Sequence, residues 1–494
     1  MKHNHLSFIF ILLFTALCWS SCYKDLGNYD YVPVNESVSF DSIHKEYFLF
    51  FKDTLQIRPV TKFTQDNNDT ARYAYSWESL MQTGGVGDTL RRVLGTSRNL
   101  NYVVNLKPGY YHCFFIMTDK QTNVRYQERF YLKVQSVTSS GWVLLCDVGG
   151  VARMDMVSLL DNKSLIINDL LAYTNSGAPV VRGPRKLNQS QHGDGVNIYM
   201  HTDEAVLKFK TADFSWKPTY TIAYDILGQV PAGFKPEAIL TSYSSVDYLI
   251  TADRLFYQNQ IFGKSGFGLP ANRIDGDTAY FNPAPFIASN TGGSFSSVVY
   301  DATNRQFLQH DGYSAFCTVL RSDTIFSFQT GKDLVTMMST NFNNRDNYAV
   351  LKVPGTSKYS LYRFNMGNGV VPTFYCDMNH ATDIARATAF AVSNQFGTLF
   401  YAAGSRLYQY DIYADVSYLM LDLGSKPITY INCPMVGKWD GQLMKSIIVG
   451  SYDPALPEGR NGRIDFYDIP GRNEPLTKYQ SYEGLGKVVD LFYR

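Results

Sequence analysis

Apolar and polar residues alternate along most of this 494-residue chain, in short runs broken by Gly, Asn, Asp and Pro. A period of two sends successive side chains to opposite faces of a strand, so such runs predict half-buried β-strands. From Gly141 onward the runs recur as a unit of break, strand, tight turn and strand. The unit begins at Trp142 (WVLLCDVGGVARMDMV), Val196, Tyr248, Val298, Tyr348, Thr398 and Ser446, and these starts lie 54, 52, 50, 50, 50 and 48 residues apart. A period near 50 with several strands per unit predicts a β-propeller with one blade per repeat, here seven blades.

Two more strands fit between successive hairpins. Ser417–Leu423 and Ile428–Cys433 follow the sixth, and Leu476–Tyr482 and Lys487–Tyr493 follow the seventh. Each blade therefore reads as four strands. Trp142 opens directly on a second strand, and the chain ends on an orphan strand, KVVDLFYR. The economical expectation is that this last strand completes the first blade and removes the open edges. The propeller is thus expected over 142–494, after a short linker at 137–141 (VTSSG).

Residues 36–136 alternate at shorter spacing, with strands expected at Ser37–Phe40, Tyr47–Phe51, Leu55–Val60, Ala74–Glu78, Tyr102–Leu106, Tyr110–Thr118 and Tyr126–Val134. Short strands separated by turn signals predict an immunoglobulin-like β-sandwich. Trp77 sits where such sandwiches bury a tryptophan, and Tyr111, after Lys107-Pro108-Gly109, suits a tyrosine corner. The domain reads as a spacer or an interaction module. The run Asp66-Asn67-Asn68-Asp69 offers calcium-type oxygens, or simply a solvated hairpin loop.

At the N-terminus, Lys2 precedes an apolar stretch from Leu6 to Trp19, too short for an ordinary membrane span. Ser20 and Ser21 then lead into Cys22, and small residues before a cysteine resemble the bacterial lipobox, whose cysteine is lipidated. Trp19 stands where that motif usually has Leu. Residues 1–21 are read as the leader and 22–35 as a tether. The run CYKDLGNYDY resembles the mature start of the PKD-like family lipoproteins of Bacteroidota. GYYHCFFIMTD is similar to the closing strand of PKD domains, and SSGWVLL to the start of the family's C-terminal domain. The resemblance implies an outer-membrane lipoprotein facing the cell exterior. It also implies partnership with a SusC-like TonB-dependent transporter and its SusD-like lipoprotein. It supplies neither substrate nor catalytic motif.

Charge and cysteine narrow the picture. With 45 basic and 44 acidic side chains, the chain has no one-signed field to draw nucleic acid. Beyond Cys18 and Cys22, the cysteines at 113, 146, 317, 376 and 433 are scattered and form no CxxC pair. This argues against a disulfide framework and against a zinc site, and no cofactor is expected.

Candidate chemistry gathers in the turns and long loops. Asp147, Asp203, Asp253, Asp301 and Asp453 fall in the turns between second and third strands, near Arg153, Arg254, Arg305, Arg406 and Arg463. They read either as a ring of charge for a polar ligand or as turn formers bonded to nearby backbone. His192 and His201 flank Asp194 but span a whole strand, and His310 and His380 stand apart. No G-x-S-x-G elbow occurs, and TGGS at 291–294 lacks a following Lys-Ser/Thr. A carboxylate pair assembled from different blades stays open. The long loops 180–195, 262–281 and 453–463 are the expected recognition elements, with Phe267, Tyr280, Phe281, Tyr452 and Arg460 as the chosen surface. The first functional reading is a non-catalytic binding or scaffolding lipoprotein that takes an oligosaccharide, a peptide or a protein partner. The alternative is a propeller hydrolase or lyase acting on polysaccharide or peptide.

Overall fold

The computed structural model describes residues 34–35, 38–64, 70–81, 91–160, 163–192, 195–230, 234–242, 246–259, 266–289, 295–435 and 441–494. The leader, Cys22, most of the tether, the Asp66–Asp69 run, Asp194 and the 291–294 segment lie outside them. The chain divides into two compact units, Met1–Ser136 and Val137–Arg494. Both are built from strands, and no helix among the described residues is long and apolar enough to cross a membrane.

In the first unit a five-stranded sheet runs in the order Glu46–Phe50, Arg125–Gln135, Gly109–Asp119, Tyr73–Met81 and Arg92–Gly95. Its first pair is parallel and the others are antiparallel. Two two-stranded ladders, Val38–Phe40 with Thr61–Phe63 and Thr54–Ile57 with Leu100–Val103, accompany it. Trp77 is fully buried, its ring centroid 4.3 Å from that of Phe115, and its Nε1 donates to the Ser97 carbonyl at 2.9 Å. The Tyr111 hydroxyl donates to the Lys107 carbonyl at 2.7 Å. The strand Arg92–Gly95 has no counterpart in the sequence-based expectation.

Among the described residues the second unit holds seven antiparallel sheets. Sheet I combines Lys163–Ile167, Val151–Leu160, Gly141–Val148 and the C-terminal Lys487–Tyr493. Sheet II is Pro184–His192, Gly195–Thr202 and Val206–Lys210, and sheet III is Pro236–Thr241, Val246–Thr251 and Leu255–Asn259. Sheet IV is Pro283–Ser289, Ser297–Asp301, Gln306–His310 and Thr318–Val319. Sheets V, VI and VII begin with Asp333–Ser339, Ala387–Val392 and Ile428–Asn432, and each runs through four strands. Counting the C-terminal strand as the first of sheet I, six of the seven hairpin starts read from the sequence fall on second strands, and the remaining one, Thr398, immediately precedes its strand Leu399–Ala403.

Two expectations need correction. Sheets II and III have three strands among the described residues, not four. Single bridges, Leu207 to Thr221 and Phe256 to Pro270, stand in place of the fourth. Pro218 and Pro270 carry no N–H and so offer no ladder donor beside these bridges. The sequence also gave no sign of the irregularity within the first strands. Each has a register shift against its neighbour, for example at Pro184/Lys186, Pro236/Ala238, Leu334/Thr336, Ala387/Ala389 and Ile428/Tyr430. Extra residues of this kind bend a strand and tighten its twist.

The core is laid between sheets rather than inside one. Val143 and Met156 pack with Ile198 and Phe209, joining sheets I and II. Equivalent clusters join II to III, III to IV, IV to V, V to VI and VI to VII. The seventh returns to sheet I through Trp142, Leu144, Ile448, Phe466 and Leu491. First strands of successive sheets also touch in sequence, and the strand at 428–432 touches the one at 487–493. Side chains bridge these seams. Asp490 accepts from the Leu187 N–H at 2.9 Å, and Thr429 donates to the Val488 carbonyl at 2.6 Å.

Second strands of sheets II to VI each bury a tyrosine completely: Tyr199, Tyr248, Tyr300, Tyr348 and Tyr401. Burying a phenol favours pairing its hydroxyl, as three of these five illustrate. Tyr199 bonds Asp225 at 2.9 Å, Tyr248 bonds His310 at 2.9 Å, and Tyr401 meets Ser417 at 2.7 Å.

Candidate functional site

In each antiparallel sheet the turn after the second strand shares an end with the chain leaving the fourth. At that end of sheet I lies a cleft of about 580 Å³. One wall is the turn region Val148 to Arg153, and the other is the single-turn helix Leu170–Tyr173 with the run 175–180. The turn is tight because Gly149 and Gly150 adopt φ of 60° and 82°, a conformation that side chains resist. Asp169 caps the helix by accepting from the Ala172 N–H at 3.1 Å.

Arg153 is the cleft's fixed cation. It donates to Asp155 at 2.7 Å and to the Gly459 carbonyl at 2.6 Å, which ties sheet I to the last hairpin of sheet VII. Asp155 in turn accepts from the N–H groups of Asp169 at 3.0 Å and Gly486 at 2.8 Å. Burial opposes the Arg153 charge, but the bond and attraction to Asp155, with smaller attractions from Cys146 and Asp169, together raise the guanidinium pKa. Sheet VII repeats the device, with Arg463 donating to Asp465 at 2.7 Å. The paired spellings Arg153-Met-Asp155 and Arg463-Ile-Asp465 were the available sequence signal for it. The remaining lining is mostly aliphatic, including Val151, Leu171, Ala178 and Val180, so the cleft combines apolar walls with the pre-set Arg153 charge and the helix-capping Asp169.

The residues chosen from the sequence separate into groups. Arg254 and Tyr280 meet, the guanidinium 4.3 Å from the ring centroid, and Arg273 lies 5.6 Å from the same ring. Tyr280 is 41% exposed. Phe267 and Phe281, expected at the surface, are instead buried. Phe267 packs with Tyr199 and Phe256, and Phe281 with Tyr248 and Leu255. Their loop folds back over sheets II to IV, and burying a phenyl ring there is worth a few kcal/mol. Tyr452 is half-buried beneath Lys487, and Arg460 is exposed. Trp142 packs against Phe466 and Tyr493.

The turn acids mostly serve their own turns. Asp301 accepts from the N–H groups of Thr303 and Asn304, both at 2.9 Å, and Asp453 from Ala455 at 3.0 Å. The arginines pair locally, Arg305 with Asp333 at 2.7 Å and Arg406 with Asp422 at 3.0 Å.

The histidines occupy three different settings. His201 is buried against Asn188 at 2.9 Å, and burial lowers its pKa to about 3. His310 bridges Tyr248 and the Ser314 carbonyl, with its pKa lowered by burial. His380 is exposed, its Nδ1 2.7 Å from Asp415, which also accepts from Tyr410 at 2.6 Å. Spacing could not have found that trio, since it joins sheets V and VI. It could not have found Lys332 either, whose ammonium donates to Ser360 at 2.6 Å and Tyr375 at 3.0 Å. Burial works against the Lys332 charge, but its interactions with Tyr375 and Tyr362 together raise its pKa. Cys113 and Cys376 are pushed up by burial to about 12 and about 11, so neither is a ready thiolate. Among the described residues no three metal-ligating side chains gather.

Comparison with known proteins adds one assignment. The PKD-like family matches residues 22–184. No curated protein matches the chain. Among solved structures the chain is similar to a quinonprotein alcohol dehydrogenase-like protein from Bacteroides thetaiotaomicron. That match has 11% identity and a TM-score of 0.38, over 89% of this chain and 96% of that one. It is also similar to a DUF4784 family protein from Bacteroides caccae, with 10% identity and a TM-score of 0.33, over 94% of this chain and all of that one.

Proposed function

This chain belongs to the PKD-like family through residues 22–184, and from that premise we propose a non-catalytic lipoprotein of the outer membrane. Cys22 carries the lipid, the protein faces the cell exterior, and it serves a SusC/SusD-type uptake system. Its second unit is a seven-bladed propeller closed by the C-terminal strand. Seven sheets, seven inter-sheet clusters and the pairing of 487–493 with 141–148 support that architecture. The observation that carries the binding role is the cleft at sheet I. It joins apolar walls to an arginine already held in place, on a scaffold closed by both ends of the unit. Binding to a preset site loses less side-chain entropy. The charges around it are paired as positioning groups, which suits recognition of an oligosaccharide or a peptide segment.

The test is a tagged pull-down of the full-length protein from native outer membranes in mild detergent, beside a Cys22→Ser variant. The reading expects a TonB-dependent transporter and its lipoprotein lid to co-purify with the wild type. It also expects the Cys22→Ser variant to leave the membrane fraction. Recovery of the wild-type protein alone would overturn the accessory role, and membrane retention of the variant would overturn the anchor.

A further inference from the structure

The five-stranded sheet of the first unit buries one face and exposes the other. Inward positions of its central strands carry Tyr111, Cys113, Phe115 and Phe130, all in the core. The alternate positions face water, where an antiparallel sheet ordinarily places polar residues. Here they carry rings instead. Tyr110 and Tyr131 stack at 5.4 Å with planes 24° apart, and His112 meets Tyr131 edge-on at 5.1 Å. Phe48, on the neighbouring strand, is 53% exposed. Register explains the assembly: Tyr131 pairs with His112, and both Tyr110 and Phe48 pair with Lys133.

Cations border these rings. Arg129 sits 5.5 Å from the Tyr131 centroid, and Lys133 lies 5.6 Å from that of Phe48. Both side chains are exposed, and neither forms an ion pair with a described residue. The nearby carboxylate is Glu46, 3.4 Å from the Tyr110 hydroxyl. A cation over a ring is held in orientation, while its N–H donors stay available to an anion.

We propose that this face binds an acidic polysaccharide. The stacked tyrosines present a flat apolar platform to the faces of sugar rings, and Arg129 and Lys133 meet their carboxylate or sulfate groups. The charge complementarity selects an anionic chain over a neutral one. The site is built from the first unit's residues alone and does not depend on the uptake role.

The experiment is affinity electrophoresis of the full-length protein through gels cast with polygalacturonate, dextran or single-stranded oligothymidylate. Wild-type protein is expected to be retarded by polygalacturonate, weakly by dextran, and less as salt rises. Tyr131→Ala and, separately, Arg129→Gln should each weaken retention by roughly tenfold, with the melting temperature of the Arg129→Gln variant unchanged. Absence of retardation would overturn the proposal. So would retention unchanged in both variants, which would place the polyanion elsewhere on the chain. Stronger retention by oligothymidylate than by polygalacturonate would also overturn it, by assigning the face to nucleic acid.

Discussion

Sheets I and VI have the same four-stranded order but are assembled differently. Sheet VI comes from one continuous stretch, with each strand pairing its sequence neighbour. Sheet I takes three strands from the start of the second unit and one from its end. The pairing energies are similar in kind, but closing sheet I requires the whole intervening chain to be in place, and that loop-closure entropy is recovered only once. A local hairpin can therefore form early, whereas sheet I acts as the clasp. The cleft lies on sheet I, beside the pairing of the two ends of the unit.

Removing residues 487–494 attacks the difference most directly. It strips the partner of 141–148, the Asp490 bond to Leu187 and Leu491 from the closing cluster. The expected outcome is loss of the cooperative thermal transition of the second unit. A truncated protein that melts like the full chain would show that the clasp is dispensable.

Trp142→Ala tests the clasp by packing alone. Trp142 is 6% exposed and faces Phe466 and Tyr493, so its removal should cost about 3–5 kcal/mol in denaturant titration. Tyr401→Phe, at the matched strand of sheet VI, deletes only the hydroxyl bonded to Ser417 and should cost about 1 kcal/mol. Equal costs would erase the contrast.

Charge gives a third contrast. Arg153→Ala leaves Asp155 fully buried without its ion partner and should destabilise by about 3 kcal/mol. Arg406→Ala breaks a half-exposed pair with Asp422 and should fall within about 0.5 kcal/mol. Chemical denaturation of both variants checks the pair.

A fourth contrast depends on pH and lies beside the clasp, on sheet II. His201 has a folded pKa lowered to about 3, so between that value and its unfolded value near 6.5 the unfolded chain binds more protons. Its contribution is complete above the unfolded pKa and is lost as pH falls. Stability should drop by up to about 1.4 kcal/mol for each pH unit in that window. In melting curves from pH 7 to 5, His201→Asn should show a shallower decline than the wild type. An identical slope would mean that other groups carry the acid sensitivity.

Much of the scaffold was legible because strand periodicity is local. Trp142, Val196, Tyr248, Val298, Tyr348 and Ser446 lie in second strands, Thr398 directly precedes one, and the terminal KVVDLFYR pairs as expected. Loop residues were less legible. Phe267 and Phe281 belong to a Gly-rich stretch whose sequence has no period, so nothing in it distinguishes a ring turned outward from one folded over a blade-like sheet. Arg254 and Tyr280 were each chosen, yet their contact at 4.3 Å depends on how that loop closes.

The sequence by itself determined the strands, the hairpin repeat, the orphan strand that finds sheet I and the alternation that buries Trp77 and Tyr111. These follow from side-chain period and turn chemistry, which act over a few residues. Tertiary structure alone decided the bent first strands and the cleft beside Arg153. It also brought His380 to Asp415 and set Arg129 and Lys133 around the ring platform of the first unit. Each of these depends on residues far apart in the chain or on register between strands, and a register is fixed only when the partner surfaces pack.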